Sequence, residues 1–509
     1  MGLLLLIVAR LPVLDYPFYW DESWSYAPGV KLMYLHGPSL MPNAIDIFYS
    51  RGHPLLFYAS AAAWMKIFGD SHIAQHAFCL LVSLLLIVVM YEACLKWFNK
   101  RVALMTLLLL PLQIIFFVQT TFLLPEIMIG LFTMLALYYY IEGKYFLTWL
   151  SLTALMLTKE SGMVLGLLLG INATLSLLNK MRPVSTRIKK FASVSLSGVA
   201  IGLYFLLQKH LNGWYFYPEH TGYILWDWHI FWDKFRFANY LLFMQDHRTW
   251  LFRVLMGLGV VTAIISKKLR PAILLVPGIL IYLAIEDRLS FLPRKTLFGF
   301  MLLSYILAGW TLVKTYTDHN SKRSRFIMIG VFFIVFYLVF TCINFFTARY
   351  LLCIFPVIFM IVAAWIDTML DKLPKYSVFV VMAAFIAIIL FEFKDNKGLG
   401  DINLGSIDAM KVQEEAITWL ENAQVYDKGI AAASFQMREH LQKPYTGFLH
   451  SDKTFKMTSY DVLPTTDYLI FDNIEPDINF DKLKTDTLFY PVYKSTHGEA
   501  MVEIYRRKK

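Results

Sequence analysis

Apolar runs of about 20 residues recur along this chain as far as residue 393, separated mostly by short polar loops. A helix of about 20 apolar residues matches the hydrocarbon thickness of a bilayer. In lipid such a run must satisfy its backbone hydrogen bonds internally, which leaves the helix as the conformation for each span. The pattern therefore predicts a polytopic α-helical membrane protein. Composition agrees: 58% of the residues are hydrophobic and 17% charged, against about 45–50% apolar and about 25% charged in a soluble domain. The net charge of +10 does not indicate nucleic acid. Lys and Arg cluster in short loops between apolar runs, which is the positive-inside pattern of a membrane protein.

With Asp21 placed outside, the basic loops fall on the other side in alternation. The inner loops carry Lys96, Lys100 and Arg101; then Lys180, Arg182, Arg187, Lys189 and Lys190; then Lys267, Lys268 and Arg270; then Lys314, Lys322, Arg323 and Arg325; and finally Lys372 and Lys375. About thirteen spans are expected, the first ending near Leu14. Two outer loops are long, residues 14–71 and 208–250. The run Gly2–Ala9 is followed by Arg10, not by a small-residue cleavage site, so no cleavable signal peptide is expected. Cys79, Cys94, Cys342 and Cys353 lie in or beside apolar runs without metal-ligand spacing. They read as buried free thiols.

From residue 394 the apolar runs shorten and charge rises. Residues 1–393 read as the transmembrane catalytic domain and 394–509 as a small extracytoplasmic α/β domain. In the tail, Glu414–Glu421 predicts an amphipathic helix, while Gly429–Ser434, Asp467–Asp472 and Met501–Tyr505 predict strands. No internal repeat is evident.

The chemistry is sought in the first outer loop. Asp21 and Glu22 follow the first apolar run directly, within Tyr19-Trp20-Asp21-Glu22-Ser23. Paired carboxylates at the mouth of a hydrophobic segment are costly unless they face water, a cation or a substrate. Farther along come Arg51-Gly52-His53-Pro54 and an apolar, aromatic stretch over 54–68, too short to span comfortably. It predicts an interfacial helix, and a polar loop pinned by such helices forms a cavity floor at the lipid–water boundary.

These residues resemble a known family. Asp-Glu after the first span, then His53-Pro54 running into Trp64-Met65-Lys66-Ile67-Phe68-Gly69-Asp70-Ser71, looks like the GT-C glycosyltransferases. The likeness is to their protein O-mannosyltransferase-like and lipid A aminoarabinose transferase-like branch. Leu157-Thr158-Lys159-Glu160 resembles the family's Leu-Thr-Lys signature, and Thr347-Ala348-Arg349-Tyr350-Leu351-Leu352 with Pro356 its late Arg-Tyr-Leu segment. Two positions depart from the pattern. Leu55 stands where many relatives have a second Pro, and Gln75-His76 where an Ala/Leu-Arg pair is common.

The resemblance implies transfer of a sugar from a polyprenyl-phosphate-linked donor to an acceptor with inversion. The acceptor is a glycolipid such as lipid A, a glycan, a cell-envelope polymer or a protein hydroxyl. Asp21 maps onto the family's catalytic Asp, and a carboxylate there can take the acceptor's proton. Glu22 stands beside it as the second acidic candidate. The departing lipid phosphate needs cations; the outer-face candidates are Lys159, Arg294, Lys295 and Arg349, with Tyr350 in the same motif. Glu126 and His53 are further candidates to line the site. The protein is expected in the inner (plasma) membrane, with the site and the tail on the periplasmic side.

Each residue also has a plainer reading. Asp21-Glu22 also reads as a helix end in water, Lys159 and Glu160 as an interfacial ion pair, Glu126 as a helix cap, and Arg349 as a side chain snorkelling to headgroups. His53 also reads as a loop residue before a helix-starting Pro, and Arg294-Lys295 as a pair flanking a span. The aromatic stretch 213–250 reads mostly as an interfacial belt. His220, His229 and His247 make a divalent metal conceivable, but their spacing does not predict one, and no cofactor is required. Two rival functions are a transporter or flippase of lipid-linked glycans, which would show inverted repeats, and a polysaccharide polymerase or ligase, which would carry its large loop late in the chain.

Overall fold

The computed structural model of the chain describes residues 2–178, 183–246, 248–266, 275–286, 292–315, 321–371, 373–432, 434–475 and 488–508. Lys180, Arg182, His247, Lys267, Lys268, Arg270 and Lys372 lie outside the described residues.

Among the described residues, seven helices are long and apolar enough to cross a membrane: His72–Trp97, Glu160–Leu177, Val184–Asn212, Arg248–Ile265, Arg294–Lys314, Lys322–Ile343 and Ser377–Asp395. The protein is a multi-pass membrane protein. Several expected spans fold as shorter apolar helices, among them Tyr145–Thr158 and Phe355–Leu370. The run expected to cross at 102–118 is broken into Lys100–Leu109 and Ile114–Gln119. Pro111 lies in the break; it lacks an N–H, and its ring collides with the carbonyl four residues back.

Helix starts follow capping chemistry. Ser71 accepts from Ala74 N (3.2 Å) and Asn99 from Val102 N (3.0 Å), which satisfies otherwise orphaned N–H groups of the first turn. The interfacial helix is Leu56–Phe68; it buries Phe57, Tyr58, Ala61, Ala62 and Met65 and leaves Ile67 and Phe68 exposed.

Charged residues gather at two places. Glu142 accepts from Lys96 (2.5 Å), Lys322 (2.8 Å) and the Trp97 indole (2.9 Å). Asp367 pairs with Arg101 at 2.7 Å. These cations all come from loops assigned to one side by the charge pattern. Asp21, Lys159 and Arg349, assigned to the other side, form a separate cluster described below.

The last apolar helix ends at Asp395, and a segment of ten residues leads to the helix Ser406–Asn422. Five strands follow: β1 (Gly429–Ala432), β2 (Met457–Ser459), β3 (Thr466–Asp472), β4 (Phe489–His497) and β5 (Ala500–Arg507). Their order is β2-β1-β3-β5-β4, with β1 parallel to β2 and β3, and β5 antiparallel to β3 and β4. Helix Ser406–Asn422 covers the β4–β5 side, with Trp419 stacked on Tyr493. Each predicted tail element is present; β2, β4 and the helix Phe435–Gln442 were not anticipated.

This α/β unit sits on the Asp21 segment. Phe18 N donates to Thr446 O (2.8 Å), Trp20 N to Gln436 Oε1 (3.2 Å) and the Tyr19 hydroxyl to Leu399 O (2.6 Å). The tail thus forms one wall of the structure around the acidic pair.

Candidate active site

Trp20 has φ of 57°, a left-handed conformation that costs a large side chain about 1–3 kcal/mol. The bend aims the next residues into the protein as a π-helix, Glu22–Tyr26, with Ala27 N donating back to Glu22 O. Such widened turns recur at functional sites. Here the consequence is that Asp21 and Glu22, adjacent in sequence, have different surroundings.

Asp21 faces a cavity of about 560 Å³ and keeps 23% of its side chain exposed. Trp24 Nε1 donates to its Oδ1 (2.9 Å), and Arg349 pairs with its Oδ2. Glu22 is buried and does not line the cavity. It accepts from Tyr19 N (3.2 Å) and Leu123 N, and lies 3.2 Å from His76 Nε2. The expected place of Glu22 as a second acidic site residue is therefore not supported by position: its oxygens hold the turn. His76, the departure from the family pattern, is the residue that meets it.

Arg349 is the hub. Its guanidinium reaches Asp21, Asp401 (2.5 Å) and Glu126 (3.6 Å). It is delivered by a 3-10 turn, Ala348–Cys353, just before a Pro-initiated helix. Lys159 pairs with Glu126 (3.2 Å), not with Glu160, and its ammonium lies 4.0 Å from the Tyr350 ring centroid. A cation over an aromatic face gains about 0.5–2 kcal/mol. Glu126 Oε2 is buried on the cavity wall with no protein hydrogen-bond partner.

Glu160 instead meets His53, whose Nδ1 lies 2.8 and 3.0 Å from its two oxygens. His220 stands beside His53, ring centroids 4.8 Å apart. Burial and neighbouring His53 push the His220 imidazole down to about 4. Gly52, at φ of 70°, makes the turn that presents His53; a Cβ there would lie 2.7 Å from Tyr217 and 2.9 Å from Trp214.

The aromatic stretch is more ordered than a belt. Trp228–Phe243 is a helix that buries Trp232 and Phe235, while Phe216, Tyr223 and Trp226 line the cavity. Arg294, half-buried, and Lys295, exposed, do not line it; Arg294 contacts His229 Nδ1 at 2.5 Å. They belong to a separate patch, so their expected role at the donor phosphate is not supported by position.

Sequence reasoning missed Asp401. It lies in the polar segment after the last apolar helix, where nothing local distinguishes it from other loop acids. Gln119 Nε2 donates to its carbonyl (2.8 Å), which fixes the backbone beside Arg349. Burial pushes its carboxyl up to about 6; Arg349 opposes this and Asp21 adds to it. Glu160 was read only as a possible partner of Lys159, and His220 only as one of three scattered histidines.

No protein-family model matches the sequence, and no curated protein matches it. Solved structures do. ArnT from Cupriavidus metallidurans bound to undecaprenyl phosphate superimposes with a TM-score of 0.50 at 13% identity, over 99% of this chain and 97% of that one. The same protein in the apo state gives 0.43 at 14% identity, over 98% and 97% of the two chains. The Archaeoglobus fulgidus oligosaccharyltransferase, in a complex with Zn and sulfate, gives 0.46 at 11%, over 93% of this chain and 68% of that one. At such identities likeness speaks for fold alone. The chain has the GT-C fold that its motifs resemble, from the first helix through the C-terminal sheet.

Proposed function

We propose that the protein is a membrane glycosyltransferase that moves a sugar from a polyprenyl-phosphate-linked donor to an acceptor, with inversion and with Asp21 as general base. The observation that carries this reading is the cavity itself. It joins one partly exposed carboxylate, two buried cations and a wall of aromatic and aliphatic side chains. Sugar transfer from a lipid phosphate asks for those three elements.

Asp21 is partly open on the cavity wall, while Trp24 and Arg349 hold its orientation. An acceptor group placed against it gives up its proton as the oxygen attacks the anomeric carbon. The carbon–oxygen bond to the lipid phosphate breaks, and that phosphate leaves with added negative charge. Arg349 and Lys159 are placed to meet the charge, Arg349 as a planar fork and Lys159 as a point charge. Glu126 Oε2, buried and unpartnered, is a ready acceptor for a substrate hydroxyl. The apolar wall with Ile129, Met163, Phe340 and Ile343 suits the first isoprene units of the donor. The fold likeness to ArnT bound to undecaprenyl phosphate supports this class of donor. We place the site and the tail on the extracytoplasmic face of the plasma membrane, from the basic-loop pattern.

Asp21→Asn tests the reading. Glycolipids and glycoproteins from cells carrying each form are compared by mass spectrometry, beside a deletion strain. A general base contributes about 10²- to 10⁴-fold, so the variant should be inserted and folded yet lack the product. Product at the wild-type level would remove Asp21 from the chemistry.

A further inference from the structure

The charge around the cavity does not balance. Asp21, Glu126 and Glu160 line it, and Asp401 and Glu219 pair with its arginines. Against these five carboxylates stand three fixed cations, Arg51, Lys159 and Arg349. Arg349 serves Asp21, Asp401 and Glu126, Lys159 serves Glu126, and Arg51 serves Glu219. Among the described residues, Glu160 has no Lys or Arg of its own and meets only the His53 imidazole.

Glu160 belongs to a group with the chemistry to hold a cation. Among the described residues, His53, Glu160 and His220 form the single group of three metal-ligating side chains whose donor atoms all lie within 4.8 Å of one another. They come from three distant parts of the chain: the turn after Ser50, the 3-10 turn between two apolar helices, and the short helix Pro218–Gly222. All three are partly buried and line the cavity. The two histidines are held from behind. The Tyr204 hydroxyl donates to His53 O (3.4 Å), and Tyr217 packs edge-on against His220 at 5.4 Å. The Arg51–Glu219 pair ties the His220 segment to the His53 turn.

The neighbouring cations do not forbid an ion here. Lys159 is neutralised by Glu126 and Arg51 by Glu219, so the only formal charge within the trio is that of Glu160.

We propose that His53, Glu160 and His220 bind a first-row divalent cation of the zinc class. Two imidazoles and one carboxylate leave a fourth position open, the pattern of zinc sites that also take a water or substrate oxygen. Ligands about 2.0–2.2 Å from zinc lie roughly 3.3–3.6 Å apart, so an ion would replace the direct 2.8 Å His53–Glu160 contact, with all donors already within 4.8 Å of one another. The ion clasps the 213–224 segment to the cavity wall and offers its open position to an oxygen of whatever occupies the cavity. The histidines that spacing singled out are not the set: His229 contacts Arg294 outside the cavity.

The test is metal content, which is read without any activity. The detergent-purified full chain is analysed by plasma mass spectrometry, then stripped with chelator and titrated with Co²⁺ while its visible d–d bands are followed. Wild type should bind one ion per chain with the absorption of a four-coordinate site. Outer partners of metal ligands are worth 10–100-fold in affinity, so His220→Ala and Glu160→Gln, each losing a ligand, should weaken binding at least about 100-fold. His36→Ala, at an exposed helix end, should bind as wild type does. Added Zn²⁺ should raise the unfolding temperature of wild type but not of His220→Ala, which separates a lost site from a lost fold. If stripped wild type binds Co²⁺ no more tightly than His220→Ala, the site does not exist. The outcome is separable from the glycosyltransferase reading: a wild type that transfers sugar but binds no metal sinks only the metal site, and a metal-binding wild type that transfers nothing sinks only the enzyme.

Discussion

Replacing Arg349 by Gln removes one charge from a point where three carboxylates converge. The three do not suffer equally. Glu126 retains Lys159 at 3.2 Å, and Asp21 retains the Trp24 indole and part of its solvent exposure. Asp401 is buried and loses its charged partner. Breaking a buried pair from one side costs about 3–5 kcal/mol, and most of it should fall on Asp401. Asp401→Asn alone should cost about 1 kcal/mol, the net worth of a hydrogen bond. In Arg349→Gln/Asp401→Asn the stranded charge is gone, and roughly 2–3 kcal/mol should return, a coupling well above the additivity error of about 0.5 kcal/mol.

Unfolding can be followed with a thiol-reactive fluorophore, because Cys79, Cys94, Cys342 and Cys353 are all free and buried. At about 2.1 cal/mol/K per residue, 509 residues give about 1 kcal/mol per degree. Arg349→Gln should then melt roughly 3–5 °C below wild type, and the double variant only about 1–3 °C below. An Arg349→Gln that melts with wild type, or a double variant no more stable than the single, would refute the assignment of Asp401 as the residue stranded by the loss.

Asp401 also predicts a pH dependence. Its folded pKa of about 6 exceeds the ordinary 3.8, so its stabilising term is complete below about 3.8 and is lost as pH rises through about 6. The wild-type minus Asp401→Asn stability difference should fall over that window by on the order of 3 kcal/mol and be flat above it; a flat difference throughout would show that the carboxyl is not held protonated. Glu22→Gln should act on folding: replacing an acceptor-only carboxylate that binds two backbone N–H groups costs about 2–3 kcal/mol, seen as a lower melting temperature, and an unchanged melt with abolished transfer would return Glu22 to the chemistry. Gly52→Ala should destabilise by about 1–3 kcal/mol, because its Cβ would meet Tyr217 and Trp214 at a left-handed φ; an unaltered melt would mean the 213–224 segment yields freely.

The amino-acid order alone determined the membrane class and the tail elements. Each depends on local terms: run length against bilayer thickness, and alternation or helical spacing in residues 406–507. The gathering of Asp21, Lys159 and Arg349 was also legible, because short motifs carried them and the basic-loop pattern grouped them. Pairing was not legible. Asp21 and Glu22 are neighbours along the chain, yet the left-handed Trp20 and the widened turn that follows send one into the cavity and the other into the core. Lys159 and Glu160 are neighbours too, and each is bound to a residue from elsewhere, Glu126 and His53. Asp401 carries no local signal; it matters because the segment after the last apolar helix runs past Arg349. Partners of buried charges are chosen by long-range packing, since a buried ion must find its counter-ion wherever the fold supplies one. That choice, and with it the division between the carboxylate facing the cavity and the carboxylate holding the turn, was made by the tertiary structure.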